Sequence, residues 1–264
     1  MKLPFFQVDA FADRPFGGNP AAVMPLDAWL PDATLQAIAE ENNLSETAFA
    51  VLTSGDDADY ELRWFTPTTE VALCGHATLA SGHVLIRGNE VRFRTRKAGI
   101  LTVARAGAGL SLSLPITRVR RDPQPELLAA LGVADCEAFL SYEGAEATAV
   151  VLLADEAAVR ACAPDMRALR DIELMAIVTA SADKEREYEV VSRVFVPAWG
   201  VDEDPVTGSA HAALAPFWCE RLERDSFQAW QASRRGGRIS CALRGDRAIL
   251  AGRCVTVVEG EYRL

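Results

Sequence analysis

Short apolar runs that alternate with polar residues are separated along this chain by glycine and proline clusters, and two longer stretches are small and apolar almost without a break. Alternation at a period of two marks a half-buried strand, whereas apolar residues three and four apart mark one face of a helix. On that basis residues 5–12 form a strand, the run Gly17-Gly18-Asn19-Pro20 a turn, and residues 21–24 the start of a return strand. Leu35, Ile38 and Ala39 share one face of a helix over 34–41, which Asp32 caps and Asn42-Asn43 closes. Strands over 47–52 and 60–66 follow. Residues 75–86 lack proline and are mostly small or apolar, which predicts a buried helix. Its small residues at 77, 80, 81 and 82 let strands pack closely around it. Alternating segments between 91 and 114, broken by Gly99, Gly107 and Gly109, predict antiparallel strands and hairpins.

The second half repeats this order. Strands are expected over 148–153, 172–179 and 187–195, with a helix over 155–162. A second buried helix runs from Gly208 to about Leu222, kinked at Pro216, and closing strands cover 238–243, 247–251 and 254–258. Residues 115–125 hold three prolines and three arginines, which predicts a linker between an N-terminal lobe (1–117) and a C-terminal lobe (118–264). Three anchors carry the repeat. Arg63-Trp64-Phe65-Thr66-Pro67 recurs as Arg193-Val194-Phe195-Val196-Pro197, 130 positions on; Gly75-His76-Ala77 recurs as Gly208-Ser209-Ala210, and Pro31-Asp32 as Pro164-Asp165, each 133 positions on. The reading is therefore an α+β protein of two similar lobes, each strand-rich and wrapped around a hydrophobic helix. A cleft between duplicated lobes is a common place for a small ligand. At the 133-residue spacing Glu46 maps onto Thr179, so such a site is chemically lopsided.

Bulk properties narrow the function. Half of the 264 residues are hydrophobic and 24% are charged, which is globular, and the formal net charge of −10 argues against a nucleic-acid surface. No run approaches the roughly 20 apolar residues that cross a bilayer, and the first residues lack the apolar core of a signal peptide. Six scattered cysteines without a Cys-x-x-Cys pair suit a reducing compartment, so a cytoplasmic protein is expected. His76, His83 and His211 have no ligand-like spacing partner beyond Cys74, and no metal is expected.

The chemistry gathers at the helix starts. Cys74-Gly75-His76 and Thr207-Gly208-Ser209 put glycine where the chain enters each buried helix, so a ligand can approach the free N–H groups of Gly75 and Gly208 and the positive end of the dipole. A packing role accounts for either glycine alone; the duplication favours anion binding. Glu46 lies between a helix and an apolar strand, where desolvation suits a carboxyl to proton transfer, although a surface or capping glutamate reads the same way. In Asp202-Glu203-Asp204-Pro205 the acids suit a helix N-terminus, and Asp204, four residues before Gly208, is singled out.

Asp9-Ala10-Phe11 with Gly18-Asn19-Pro20, Asn43-Leu44-Ser45-Glu46-Thr47, Cys74-Gly75-His76-Ala77-Thr78 and Asp204-Pro205-Val206-Thr207-Gly208-Ser209-Ala210 occur in this order over almost the whole chain. In these motifs the sequence resembles the phenazine-biosynthesis PhzF-like isomerases, relatives of diaminopimelate epimerase. The resemblance implies two pseudo-symmetric lobes, each a curved, mostly antiparallel sheet around a central helix, with the active site between them. It also implies a homodimer, no cofactor, and a small carboxylate-bearing substrate. Glu46, His76 and Asp204 are then the catalytic set, with Glu46 moving a proton from one carbon to another. Asn19, Gly75, Gly208 and Ser209 are the substrate-binding set. The epimerases carry two catalytic thiols at the helix starts; Cys74 matches the first, and Pro205 fills the position of the second. An amino-acid epimerase or racemase, or a catalytically idle binding protein on the same fold, is the alternative reading.

Overall fold

The structure is a computed structural model and describes residues 1–55, 57–143 and 147–264. The chain divides into two compact units: Met1–Leu114 with Ala251–Leu264, and Pro115–Leu250. The first boundary falls within three residues of the expected one. The last fourteen residues, expected in the C-terminal lobe, pack with the first unit instead.

In the first unit β1 (Lys2–Ala10) pairs antiparallel with β2 (Asn19–Leu26), which pairs parallel with β3 (Glu46–Leu52). Helix α1 (Asp32–Asn42) makes that parallel crossover and buries Leu35, Ile38 and Ala39 against Met24, Phe49 and Phe65. β4 (Tyr60–Phe65) runs antiparallel to β3 and to the short β5 (Glu70–Val71). After α2 (Gly75–Leu85) the chain returns as β6 (Glu90–Thr95), parallel to β4, then β7 (Ile100–Ala106) and β8 (Gly109–Pro115) as antiparallel neighbours. The C-terminal strand, Cys254–Arg263, completes the unit by pairing antiparallel with β1.

α2 is the central helix, packed on β1, β2, β3, β6 and β7. Residues 75–82 are all buried. Such enclosure requires small side chains: a Cβ on Gly82 would lie 2.4 Å from Cγ1 of Val103 on β7. The turn into β2 is equally demanding. Gly18 has φ +58°, and a Cβ there would meet the Ala10 carbonyl oxygen at 2.1 Å, while the Phe16 N–H donates to Asp9 Oδ2 at 2.7 Å.

In the second unit β9 (Arg120–Arg121) pairs antiparallel with β10 (Glu137–Ser141), and α3 (Pro125–Leu131) lies between them in sequence. β10 and β11 (Thr148–Leu152) are antiparallel; α4 (Glu156–Ala161) and α5 (Met166–Arg170) then lead to β12 (Met175–Ser181), parallel to β11. β13 (Val190–Val196) is antiparallel to β12 and to β14 (Val201–Asp204). After the central helix α6 (Gly208–Leu222), β15 (Ser226–Gln231) returns parallel to β13 and antiparallel to β16 (Gly237–Arg244). α6 continues through Pro216 to Leu222.

The pairing sequence antiparallel, parallel, antiparallel, antiparallel, parallel, antiparallel therefore occurs twice, once from β1 to β7 and once from β10 to β16. Even the ion pairs repeat. Arg63 makes a bidentate pair with Glu70 and lies 5.0 Å from the Phe65 ring; Arg193 does the same with Glu203 and lies 4.9 Å from Phe195.

Two local expectations change. Asp32 is the first residue of α1, not its cap, and its carboxylate takes a hydrogen bond from Arg63. Its counterpart Asp165 does cap, accepting from the N–H groups of Arg167 and Ala168. Residues 115–125 are bonded into the second unit and are no free linker: the N–H of Ile116 donates to Asp246 O and that of Thr117 to Ala212 O.

Candidate active site

In the first unit the end of α1 aims the candidate base. Asn43 adopts the left-handed conformation at φ 48°, closing the helix, and Leu44 and Ser45 turn the chain so that Glu46 opens β3. Ala21 on β2 pairs with Glu46, and Asn19 begins the same strand two residues earlier. Cys74 is the extended residue before α2, and His76 is the second residue of that helix.

These elements bring Asn19, Ser45, Glu46, Cys74 and His76 together. Glu46 Oε2 lies 2.9 Å from His76 Nε2, yet both buried atoms are without a hydrogen-bond partner among the described residues. The contact is close but not aligned. On the other side of the ring, His76 Nδ1 is 3.1 Å from Asn19 Nδ2 and 3.5 Å from Cys74 Sγ. Ser45 Oγ donates to Asn19 Oδ1 at 3.0 Å. Asn19 is fully buried and His76 nearly so, while Glu46 keeps 17% of its side-chain surface exposed.

Burial, with the Glu46 charge adding to it, pushes the Cys74 thiol up to about 11, so at neutral pH it is a protonated, weakly reactive group. For His76, burial opposes the charged ring, while charge on Cys74 and on Glu46 favours it, and the balance lies well above the ordinary histidine value. The Cys74 share, the larger of the two, requires a thiolate that does not form at neutral pH; there Glu46 alone works against burial, which is the largest influence on the ring.

Glu46, Cys74 and His76 offer ligand atoms within 4.8 Å of one another. The sulfur approaches one ring nitrogen and the carboxylate the other, and the thiol is held protonated rather than as the thiolate a metal takes. The arrangement suits proton transfer through the ring better than a shared metal.

The second unit places Asp204 at the end of β14 and Thr207 before α6. Thr207 Oγ1 donates to Asp204 Oδ2 in a short hydrogen bond. The buried Gln231 ties the corner together: its Nε2 donates to Asp204 O at 2.7 Å, and its Oε1 accepts from Thr207 N at 2.8 Å. Gly208 is the first residue of α6 and Ser209 the second, with Ser209 Oγ 3.8 Å from Met175 Sδ.

Register corrects the internal match. Thr47 pairs with Phe65 and Ala176 with Phe195, so the counterpart of Glu46 is Met175, not Thr179. Thr179 sits in the core, donating to Val191 O and accepting from Trp218 Nε1. His76 facing Glu46 is thus mirrored by Ser209 facing Met175. Trp64 pairs with Val71 and Val194 with Asp204, so Asp204 is uncopied as well. Cys74 and Thr207 occupy the same place before their helices, so Thr207 stands where a second thiol would be, not Pro205.

Ser45, Gln231, Thr207 and Met175 were not singled out as site residues in advance. Gln231 carried one signal: a polar residue on the inward face of β15, in register with the buried Phe227 and Ala229.

A model of phenazine biosynthesis-like proteins matches residues 8–260. The chain belongs to that family. A Pseudomonas aeruginosa protein named as an uncharacterized isomerase is 47% identical, with all of both chains covered. The human phenazine biosynthesis-like domain-containing protein is 35% identical over 98% of this chain and 99% of its own. The crystal structure of a PhzF-family protein from Enterococcus faecalis is 42% identical, covers both chains fully, and superposes with a TM-score of 0.91. The fold is accordingly the α+β, diaminopimelate-epimerase-like one. A hydroxyproline epimerase from Agrobacterium vitis, 14% identical over 98% of this chain and 92% of its own with a TM-score of 0.61, shares that fold. Among the described residues no helix is long and apolar enough to cross a membrane.

Proposed function

We propose that this PhzF-like family member is a cofactor-independent isomerase that moves a hydrogen along a small, unsaturated, carboxylate-bearing substrate. The observation that carries the reading is the Glu46 Oε2–His76 Nε2 approach at 2.9 Å, in which two buried acid–base atoms have no hydrogen-bond partner among the described residues. Buried polar atoms are nearly always bonded, and exceptions concentrate at functional sites. The Glu46 carboxylate takes a proton from one carbon, the electron pair delocalises toward the substrate's carboxylate, and the Glu46 carboxyl returns the proton to another carbon. His76 donates to the developing negative charge. Asp204 orients a polar substituent, and Gly75, Gly208 and Ser209 receive the carboxylate; each such donor is worth a few kcal/mol to an enolate-like intermediate.

A racemase needs a base on each face of one carbon. The protonated Cys74 thiol, pushed up to about 11, and the apolar Met175 opposite Ser209 both speak against that alternative. Turnover of cyclic amino-carboxylates in D₂O separates the readings. The hydrogen shift puts deuterium on the receiving carbon, whereas epimerisation puts it on an inverted stereocentre. Glu46→Gln is expected to lower kcat/KM by about 10² to 10⁴. Full activity in that variant would remove Glu46 from the mechanism.

The homodimer is proposed from the resemblance alone, and light scattering tests it. A cytoplasmic location is supported by six cysteines, all free.

A further inference from the structure

We propose that Asn19, oriented by Ser45, is a positioning residue that holds His76 as the neutral tautomer with its proton on Nε2, the nitrogen facing Glu46. The tautomer stands on geometry alone; only its catalytic consequence rests on the function proposed above.

A carboxamide has two unlike ends, an oxygen that accepts and an NH₂ that donates. Ser45 Oγ donates to the oxygen at 3.0 Å, which leaves the NH₂ toward His76 Nδ1 at 3.1 Å. An amide N–H has nothing to accept with. Nδ1 must therefore present its lone pair, and the proton of a neutral ring sits on Nε2. Cys74 is compatible with this. Its Sγ lies 3.5 Å from the same Nδ1, and a protonated thiol there can donate to the lone pair.

The groups facing His76 act in opposite senses. Glu46, from β3, favours a second proton on the ring. Asn19, from β2, opposes it, because an Nδ1–H would point at the amide's own hydrogens, and burial opposes it too. The outcome is a ring that can donate from Nε2 and cannot accept there. Asn19 thus acts through His76. With both ends of its carboxamide engaged, it is better placed to set that ring's chemistry than to bind substrate.

Only three histidines are present, so nitrogen-15 histidine labelling of the full chain reads the ring directly, with His76→Asn assigning its signals. At pH 7 we expect a pyridine-like Nδ1 and a pyrrole-like Nε2. A protonated Nδ1, whether in the other tautomer or in an imidazolium, overturns the proposal. Ser45→Ala removes the hydroxyl that orients the amide and should yield a mixture of the two tautomers. Asn19→Asp offers only acceptors and should move the proton to Nδ1, shift the pH profile of kcat upward, and lower kcat about 10²- to 10⁴-fold with little change in KM; a partner that imposes the wrong histidine tautomer has that scale of effect. An unchanged profile in Asn19→Asp would count against it. If Asn19→Asp fails to fold, Ser45→Ala and the wild-type spectrum still decide. The two proposals fail separately. The expected tautomer with an active Glu46→Gln sinks the function alone, and a wrong tautomer with an inactive Glu46→Gln sinks this inference alone.

Discussion

Two residues show how burial without compensating charge sets protonation. His211 lies fully inside the second unit, with its Nδ1 bonded to Thr207 O at 2.8 Å, and burial takes it down to about 4. Its pKa is depressed on folding, so between about 6.5 and 4 the unfolded chain binds the extra proton. Its share of stability is complete above about 6.5 and falls as the pH drops toward 4, by about 3 kcal/mol. Urea unfolding at pH 7 and 4.5 is expected to show that loss in wild type and a smaller one in His211→Gln. Cys74 is the converse case, a thiol kept protonated. Iodoacetamide followed by mass spectrometry should label the partly exposed Cys136 first and reach Cys74 appreciably only as the pH rises toward 10, because the thiolate is the nucleophile. Rapid labelling of Cys74 at pH 7 would contradict the assignment. Glu46 was legible as an acid beside an apolar strand, and the resemblance named His76 and Asn19 beside it, but how they meet was not legible. Asn19, Ser45 and Cys74 are far apart in sequence or unremarkable in type, and only packing shows that they surround one imidazole.

At the scale of elements, the two central helices were the clearest prediction, because long runs of small and apolar residues have no other stable place than a core. α2 was expected over 75–86 and spans Gly75–Leu85; α6 starts and ends as expected. Gly82→Ala should cost about 1–3 kcal/mol, since the new methyl meets Val103, and Val103→Ala should recover part of it. Denaturant midpoints of the single and double variants check this. β15 escaped the sequence reading because Gln231 interrupts the apolar side of its alternation. That interruption holds the start of α6: Gln231→Leu removes the acceptor of the Thr207 N–H and is expected to cost about 1–3 kcal/mol. Retained stability would show that another group takes over.

For the whole molecule, duplication is the organising fact, and strand register decides which residues correspond. A spacing of 133 fits the helix starts but not the strands, because the segments before each central helix differ in length. Counting along the chain therefore matched Glu46 to Thr179, whereas ladder pairing matches it to Met175. One unmatched acid becomes two, Glu46 in one unit and Asp204 in the other. The return of the chain to the first unit was equally beyond local reading. The Cys254–Arg263 strand covers the edge of β1 along its length. Deleting residues 254–264 exposes that edge, and the truncated chain is expected to aggregate, with a lower Tm, in size-exclusion and melting experiments.

The sequence by itself determined the periodicities, and with them the alternation of strands and helices, the two buried helices, the duplication, and the motifs that mark the family. Those are local properties, set by side-chain size, branching and polarity within a turn or a strand. Tertiary structure alone decided which nitrogen of His76 meets Glu46, what fixes its ring, which residues of the two halves are true counterparts, and where the last strand lies. Those depend on hydrogen-bond direction and strand register. Both arise from contacts between segments tens of residues apart, which no pattern along the chain encodes separately.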